Sequence, residues 1–279
     1  MDFFEILKAI FLGMVEGITE WLPVSSTGHM IVFDEFVKLN VSQEFKELFL
    51  VVIQLGAIAA VPVLFFNRLN PFSKKKTEAE KKNCFSLWGK VIVGAVPAAL
   101  IGFLLDDFFD EHFYNYKVVS VALIVYGIAF ILIEWKNKGK TYRINKAEEL
   151  SYKDALVIGS FQILSLIPGT SRSGSTIIGG MLTGVSRAAS AEFSFFMAIP
   201  IMIGASGLKI IKFIIEGFTA TGPEIALLLI GMAVSFVISL VTIKFLMDFV
   251  KKHSFTSFGI YRILLGIFVL SFFLIKGVA

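Results

Sequence analysis

The chain contains the stretch Gly13-Met-Val-Glu-Gly-Ile-Thr-Glu-Trp-Leu-Pro-Val-Ser-Ser-Thr-Gly-His-Met-Ile31. A similar stretch, Gly159-Ser-Phe-Gln-Ile-Leu-Ser-Leu-Ile-Pro-Gly-Thr-Ser-Arg-Ser-Gly-Ser-Thr-Ile177, lies about half the chain later. At an offset of 146 residues, Ser25 falls on Ser171 and glycine falls on glycine on both sides of that serine. Apolar segments that are interrupted by glycine and proline at corresponding places in two halves mark a site at the interface of internal repeats.

The composition is that of an integral membrane protein. Of the 279 residues, 56% are hydrophobic and only 17% are charged, and the mean hydropathy is +0.79. A soluble domain carries about a quarter charged residues. The charges cluster between apolar runs, and the lysines of these loops account for the net charge of +4 without a nucleic-acid partner.

Six apolar segments are long enough to cross a hydrocarbon core of about 30 Å. We predict membrane spans at 46–67, 85–105, 118–135, 188–213, 224–247 and 258–276. The two motif segments, roughly 3–31 and 154–184, are too interrupted to be simple spans, because their backbone would face lipid with unpaired polar groups. We therefore expect each of them to form a re-entrant helix hairpin.

The distribution of lysine and arginine predicts the orientation. Loops 68–90 and 136–153 are strongly basic and should face the cytoplasm. Loop 106–117 should face outward, because it is acidic. Its carboxylates belong to Asp106, Asp107, Asp110 and Glu111.

With this orientation each half has three full spans, an odd number, so the two halves are inverted relative to each other. The sequence thus predicts an all-α polytopic membrane protein with about six transmembrane helices and two re-entrant hairpins, related as inverted repeats. The chain is predicted to form a single transmembrane domain over 1–279. The halves cover about 1–135 and 154–279, and residues 136–153 form a basic cytoplasmic linker.

The first motif brings several reactive side chains together. Glu16 and Glu20 are four residues apart, so a helix places both carboxylates on one face. Pro23 should end that helix. The turn and the next helix then add three hydroxyls and an imidazole, those of Ser25, Ser26, Thr27 and His29. Two carboxylates can hold a hard divalent cation, and a hydroxyl beside a base can act as a nucleophile. The alternative is a buried polar network that only closes a turn.

The second motif is suited to bind phosphate. Its glycine and serine residues open a helix, where backbone N–H groups and the positive end of the helix dipole favour an anion. Arg172 adds a planar fork that can donate two hydrogen bonds to phosphate oxygens. Ser171 and Ser173 flank it and contribute further donors. The spacing is similar to a nucleotide-binding P-loop, but Ser175 stands where that loop has lysine and no strand precedes it, so nucleotide binding is rejected.

At these motifs the chain strongly resembles the bacterial undecaprenyl-diphosphate phosphatase family, which confers resistance to bacitracin. The resemblance rests on the segments from Glu16 to His29 and from Pro168 to Thr176. It implies hydrolysis of the C55 prenyl diphosphate to the monophosphate, which recycles the lipid carrier for peptidoglycan synthesis. It also implies a plasma-membrane location, an outward-facing site, a divalent cation (Mg²⁺ or Ca²⁺) and a homodimer. The family's site residues match Glu16, Glu20, Ser26, His29 and Arg172.

The preferred mechanism has Ser26 attack the terminal phosphorus, with Glu20 or His29 as the base. Glu16 and Glu20 would hold the metal ion, and Arg172, Ser171, Ser173 and Thr27 would bind phosphate oxygens. Two variants stay open from the sequence, namely attack by His29 and direct attack by a metal-bound water.

A transporter or flippase of an anionic prenyl lipid is the competing function, because inverted repeats with broken helices are typical of transporters. Transport requires recognition of charge, but it does not require a serine beside two acids and a histidine.

Overall fold

The computed structural model describes residues 2–277, apart from the side chains of residues 106, 107 and 110. This part of the chain forms eleven α-helices and two short 3-10 turns, at Ala147–Glu149 and Ile163–Leu166. The helices are α1 (Phe3–Thr19), α2 (Ser26–Phe36), α3 (Gln43–Leu64), α4 (Phe66–Leu69), α5 (Glu78–Phe113), α6 (Tyr116–Asn137), α7 (Tyr152–Gln162), α8 (Arg172–Leu182), α9 (Arg187–Ile215), α10 (Gly222–Lys252) and α11 (Thr256–Lys276).

Six of the described helices, α3, α5, α6, α9, α10 and α11, are long and apolar enough to cross a membrane. They coincide with the six predicted spans, so the prediction of an all-α polytopic membrane protein is confirmed. The prediction of an outer loop over 106–117 was wrong in part, because α5 continues to Phe113. Acidic residues alone do not end a helix, and residues 106–113 contain no glycine or proline. The side chains of Asp106, Asp107 and Asp110 lie outside the described part.

Each motif segment is divided into two helical pieces. The first break separates α1 from α2 at Pro23, and the second separates α7 from α8 at Pro168, which is followed by Gly169 at a φ of +92°. Both α2 and α8 contain eleven residues, which corresponds to a length of about 16 Å. This is about half the thickness of a hydrocarbon core, so neither helix can cross alone. Their re-entrance stays a prediction.

The two halves exchange helices in corresponding pairs. Helix α1 packs on α10, and α7, its counterpart in the second half, packs on α5. Both contacts run over paired glycines. A Cβ atom at Gly13 would lie 2.6 Å from the carbonyl oxygen of Gly231, and one at Gly159 would lie 1.9 Å from that of Gly94. Small residues at such crossings let the helix backbones approach closely. This exchange supports the inverted repeat, which we retain as a proposal.

Candidate active site

The two breaks adopt the same local structure. Ser25 and Ser171 have φ values of 72° and 74°, which are rare for residues other than glycine. Each serine caps the following helix, since its hydroxyl accepts a hydrogen bond from the N–H of Gly28 at 3.2 Å or of Gly174 at 3.1 Å. Two strained serine caps at equivalent positions indicate a functional turn, because strain of this kind persists where the surroundings enforce it.

The structure brings the two breaks together through Arg172 and Glu20. Nη2 of Arg172 donates to Oε1 of Glu20 at 2.9 Å, and the two side chains are only 10% and 7% exposed. Ser173 adds a second link, because its hydroxyl lies 3.3 Å from the main-chain oxygen of Glu20. An acid from the first motif thus neutralises the guanidinium from the second in a buried setting.

The guanidinium of Arg172 is held on three sides. Nη1 donates to the carbonyl oxygen of Ser194 at 2.7 Å and to its hydroxyl at 3.2 Å. The guanidinium carbon lies 5.8 Å from the centre of the Trp21 ring, a distance at which a cation is attracted to the ring face. Among the described residues, the buried Nε has no hydrogen-bond partner. Arg172 is therefore fixed in place with one donor still available.

Ser26 lies on the other side of the same carboxylate. Its hydroxyl donates to Oε2 of Glu20 at 3.3 Å, while Oε1 of Glu20 accepts from Arg172. Ser26 is half-buried in the first turn of α2, and Thr27, also half-buried, follows it. One carboxylate thus contacts both the candidate nucleophile and the candidate phosphate-binding arginine.

His29 is buried and both of its ring nitrogens have partners other than Ser26. Nδ1 lies 2.7 Å from the carbonyl oxygen of Ser25, and Nε2 lies 2.6 Å from the hydroxyl of Tyr261 on α11. Of the two bases that the sequence left open, Glu20 is the one that contacts the Ser26 hydroxyl.

Ser171 and Ser173 use their hydroxyls within the protein. The Ser171 hydroxyl caps α8 and lies 3.2 Å from the hydroxyl of Ser173, which faces the main chain of the first motif. The N–H groups of Arg172 and Ser173 belong to the first turn of α8, where a helix leaves them without an intrahelical acceptor. These two amides, rather than the serine hydroxyls, are the donors that the second motif can offer to a phosphate.

The acids at the site fit a cation only in part. Glu16 is 1% exposed, lies within hydrogen-bonding reach of Glu20 and has an Oε1 atom with no partner in the described part of the chain. No group of three or more His, Cys, Asp or Glu residues that could hold a metal ion occurs among the described residues. Mg²⁺ is usually held by one or two carboxylates together with substrate phosphates. Glu16 and Glu20 fit that pattern, provided that the substrate supplies the remaining oxygens.

Arg262 is a residue at the site that the sequence analysis did not single out. It is 0% exposed in α11, where Nη1 donates to the carbonyl oxygen of Pro23 at 3.1 Å. Nη2 donates to those of Gly169 at 2.8 Å and Thr170 at 2.9 Å. One guanidinium therefore holds the main chains of both breaks. A charge inside an apolar span is costly, and this signal could have identified Arg262.

A cavity of about 550 Å³ adjoins the second break. Gln162, Ser165 and Leu166 line it beside α7, and it extends along α9 from Pro200 to Lys212. Its walls are mainly apolar, with lysine on α9 as the cationic component. Apolar walls with a few polar groups are typical of a ligand-binding cavity.

The sequence was compared with known proteins. The family model described as Bacitracin resistance protein BacA matches residues 9–268. A protein of Enterococcus faecalis named undecaprenyl-diphosphatase is 58% identical over 97% of this chain and 98% of its own length. Proteins of the same name from Desulfitobacterium hafniense and Acetivibrio thermocellus are each 56% identical, over 98% and 97% of this chain and 98% of their own lengths. The chain therefore belongs to the BacA family of bacitracin resistance proteins.

Proposed function

We propose that this membrane protein is a phosphatase that hydrolyses undecaprenyl diphosphate to undecaprenyl phosphate and inorganic phosphate. The name shared by its relatives supports this reaction, which recycles the lipid carrier for peptidoglycan synthesis and counters bacitracin. The structural observation that carries the proposal is the Glu20 carboxylate, which contacts Ser26 through one oxygen and Arg172 through the other.

Arg172 binds the terminal phosphate in this mechanism. The phosphate oxygens take the place of Glu20 as acceptors for the guanidinium, and the first-turn amides of α8 donate to the same group. Glu20 is then released from Arg172 and keeps its contact with the Ser26 hydroxyl. Substrate binding therefore leaves Glu20 placed to accept the proton of Ser26.

The reaction has two steps, formation of a phosphoserine and its hydrolysis. Glu20 accepts the proton of the Ser26 hydroxyl while the Oγ–P bond forms and the bridging P–O bond breaks. Undecaprenyl phosphate leaves with that electron pair and takes the proton from Glu20. Glu20 then deprotonates a water, which attacks phosphorus, and Ser26 leaves and recovers the proton from Glu20. Arg172 and the α8 amides stabilise the negative charge in both transition states.

Of the two other mechanisms left open, attack by His29 is disfavoured because both of its nitrogens are engaged. Direct attack by a water remains the alternative to the phosphoserine. Transport is not favoured, because it gives no role to the contact between Ser26 and Glu20.

We propose that Glu16 and Glu20 hold a Mg²⁺ or Ca²⁺ ion together with the substrate's diphosphate oxygens. When bound, the ion supplies positive charge that neutralises those oxygens and makes the phosphorus more electrophilic. The unpartnered Oε1 of Glu16 supports this role. Glu16 also lies beside Glu20, and two neighbouring carboxylates repel each other unless a proton or a cation lies between them.

We further propose that the site opens to the outer face of the bacterial plasma membrane. The start of α9 lies against the basic linker 136–153, since the N–H of Ser186 donates to the carbonyl oxygen of Ile144 at 2.8 Å. The cavity extends towards the other end of α9, at Lys209 and Lys212. A prenyl diphosphate in the outer leaflet can thus bring its head to the site while its tail stays in lipid. Homodimer formation remains a prediction.

Release of phosphate from C55 diphosphate by the purified protein tests the proposal. Ser26→Ala should lower turnover by at least about a thousandfold, because the nucleophile is removed. Ser160→Ala is the matched control, since that exposed serine donates to the carbonyl oxygen of Leu156 within α7. A brief reaction with substrate labelled in the terminal phosphate should leave label on Ser26 of the wild type. Full activity of a folded Ser26→Ala protein would refute the serine mechanism, and no phosphate release by the wild type would refute the function.

A further inference from the structure

Tyr261 on α11 contacts the histidine of the first motif. Its hydroxyl lies 2.6 Å from Nε2 of His29, and the two rings are nearly parallel, with an interplanar angle of 11° and centroids 5.7 Å apart. His29 is 8% exposed, whereas Tyr261 is 45% exposed. Both line an apolar groove of about 390 Å³ that also contacts Leu22 and Val24 of the break. The proposed mechanism gives Tyr261 no role.

The contacts of His29 determine where its proton lies. A carbonyl oxygen can only accept a hydrogen bond, so Nδ1, at 2.7 Å from the oxygen of Ser25, must carry a proton. In the neutral ring Nε2 is then the acceptor, and the Tyr261 hydroxyl donates to it. The Ser25 carbonyl thus selects one tautomer of His29, and Tyr261 donates to the remaining nitrogen and fixes the plane of the ring.

The acceptor at the far end of this chain of hydrogen bonds is the strained residue of the turn. Ser25 has a φ of 72°, and its carbonyl group is joined directly to the nitrogen of Ser26. A serine keeps such a backbone conformation only where its surroundings hold it. The bond from Nδ1 of His29 holds the peptide between Ser25 and Ser26, and Tyr261 holds His29.

We propose that Tyr261 is a positioning residue for the phosphatase reaction. It orients His29 so that His29 fixes the strained turn which presents the Ser26 hydroxyl to Glu20. This inference rests on the proposed function, and it gives His29 a supporting role in place of that of a base. The next residue, Arg262, holds the same turn through the carbonyl oxygen of Pro23. Two adjacent residues of α11 thus support the turn through different groups.

Tyr261→Phe tests the positioning role, because it removes the hydroxyl and keeps the ring against His29. The loss leaves Nε2 without its donor and the Ser25 peptide less firmly held. We expect kcat to fall by about 5- to 150-fold, the range for leaving a buried group unpaired, with KM within about twofold of the wild type. Tyr152→Phe is the matched control, since that tyrosine is 50% exposed at the start of α7. A wild-type kcat in Tyr261→Phe would overturn the proposal.

A spectroscopic measurement tests the same proposal without turnover. The chain has three histidines, so ¹⁵N-histidine labelling gives three pairs of ring-nitrogen signals, and His29→Gln identifies the pair of His29. We expect a protonated Nδ1 and an unprotonated, hydrogen-bonded Nε2 in the wild type, and an altered Nε2 signal in Tyr261→Phe. A proton on Nε2 in the wild type, or an unchanged signal in a folded variant, would overturn the proposal.

The two measurements separate this inference from the proposed function. If Tyr261→Phe does not fold, the tautomer of the wild type still decides, because the opposite tautomer excludes the contact to Ser25. If instead Ser26→Ala retains full activity, the serine mechanism fails whatever the state of His29.

Discussion

Gly159→Ala places a methyl group where α7 and α5 have no room for one. The new Cβ would lie 1.9 Å from the carbonyl oxygen of Gly94 and 2.7 Å from its Cα atom. Ordinary contacts begin near 3.4 Å, so the helices would have to separate there by about 1.5 Å. All the atoms that are met belong to backbone, which cannot rotate away as a side chain can.

Overpacking of this kind costs about 1–3 kcal/mol, and backbone neighbours favour the upper part of that range. The effect on turnover should be larger, because α7 leads directly into the second break. A displacement of about 1 Å at a reacting group can lower the rate by about a hundredfold. We expect Gly159→Ala to lower the thermal unfolding midpoint in detergent and to reduce phosphate release by about that factor.

Two other glycines provide graded controls. Gly13→Ala makes the corresponding contact with Gly231 at 2.6 Å, so its effects should be smaller than those of Gly159→Ala. At Gly207 in α9 no described atom lies within 4 Å of the added Cβ, so alanine there should stabilise the helix by about 1 kcal/mol and leave turnover unchanged. If Gly159→Ala matched Gly207→Ala in stability and activity, the close approach of α7 and α5 would be refuted.

Three further predictions follow from the charged groups. Excess EDTA should abolish hydrolysis, and activity that persists in EDTA would contradict the metal proposal. Glu16→Gln should raise the Mg²⁺ concentration for half-maximal activity at least about tenfold. Arg262→Lys keeps the charge but loses the fork, so it should cost about 1–3 kcal/mol of stability in thermal unfolding, and an unchanged midpoint would contradict this. Burial of Asp154 by itself raises its pKa, but hydrogen bonds from Arg143 and Ser151 outweigh it and lower the pKa to about 2. Asp154→Asn should therefore be less stable than the wild type at pH 7, and this difference in stability should fade as the pH falls from about 4 to about 2. A difference in stability that stays constant with pH would contradict the ion pair.

Hydropathy was sufficient to predict the long helices, because the length of an apolar run and the cost of unpaired backbone in lipid are local properties of the sequence. Proline and glycine predicted the position of the breaks, because their effect on a helix is also a local property of the sequence. The end of α5 did not follow, since acidic residues outside the membrane continue a helix as readily as they form a loop. The sequence identified which stretches are interrupted, and the packing of the helices determined which of them meet.

The residues that the sequence analysis missed act through partners far away in the chain. Tyr261 contacts His29 from a position 232 residues later, and Arg262 contacts Pro23 from 239 residues later. No local pattern predicts such contacts. Charge alone did not identify ion-pair partners either. Glu192 lies five residues from an arginine on its own helix, yet it pairs with Arg68, 124 residues away.

The place of Arg262 near the end of the chain has a consequence for biogenesis. Both interrupted segments emerge from the ribosome well before α11, and until α11 inserts, their carbonyl groups at Pro23, Gly169 and Thr170 lack the guanidinium that joins them. A chain in which α11 has not yet inserted therefore joins its two turns through Arg172 and Ser173 of α8, without the further link from Arg262. We expect the two turns to reach their final arrangement once α11 has entered the membrane.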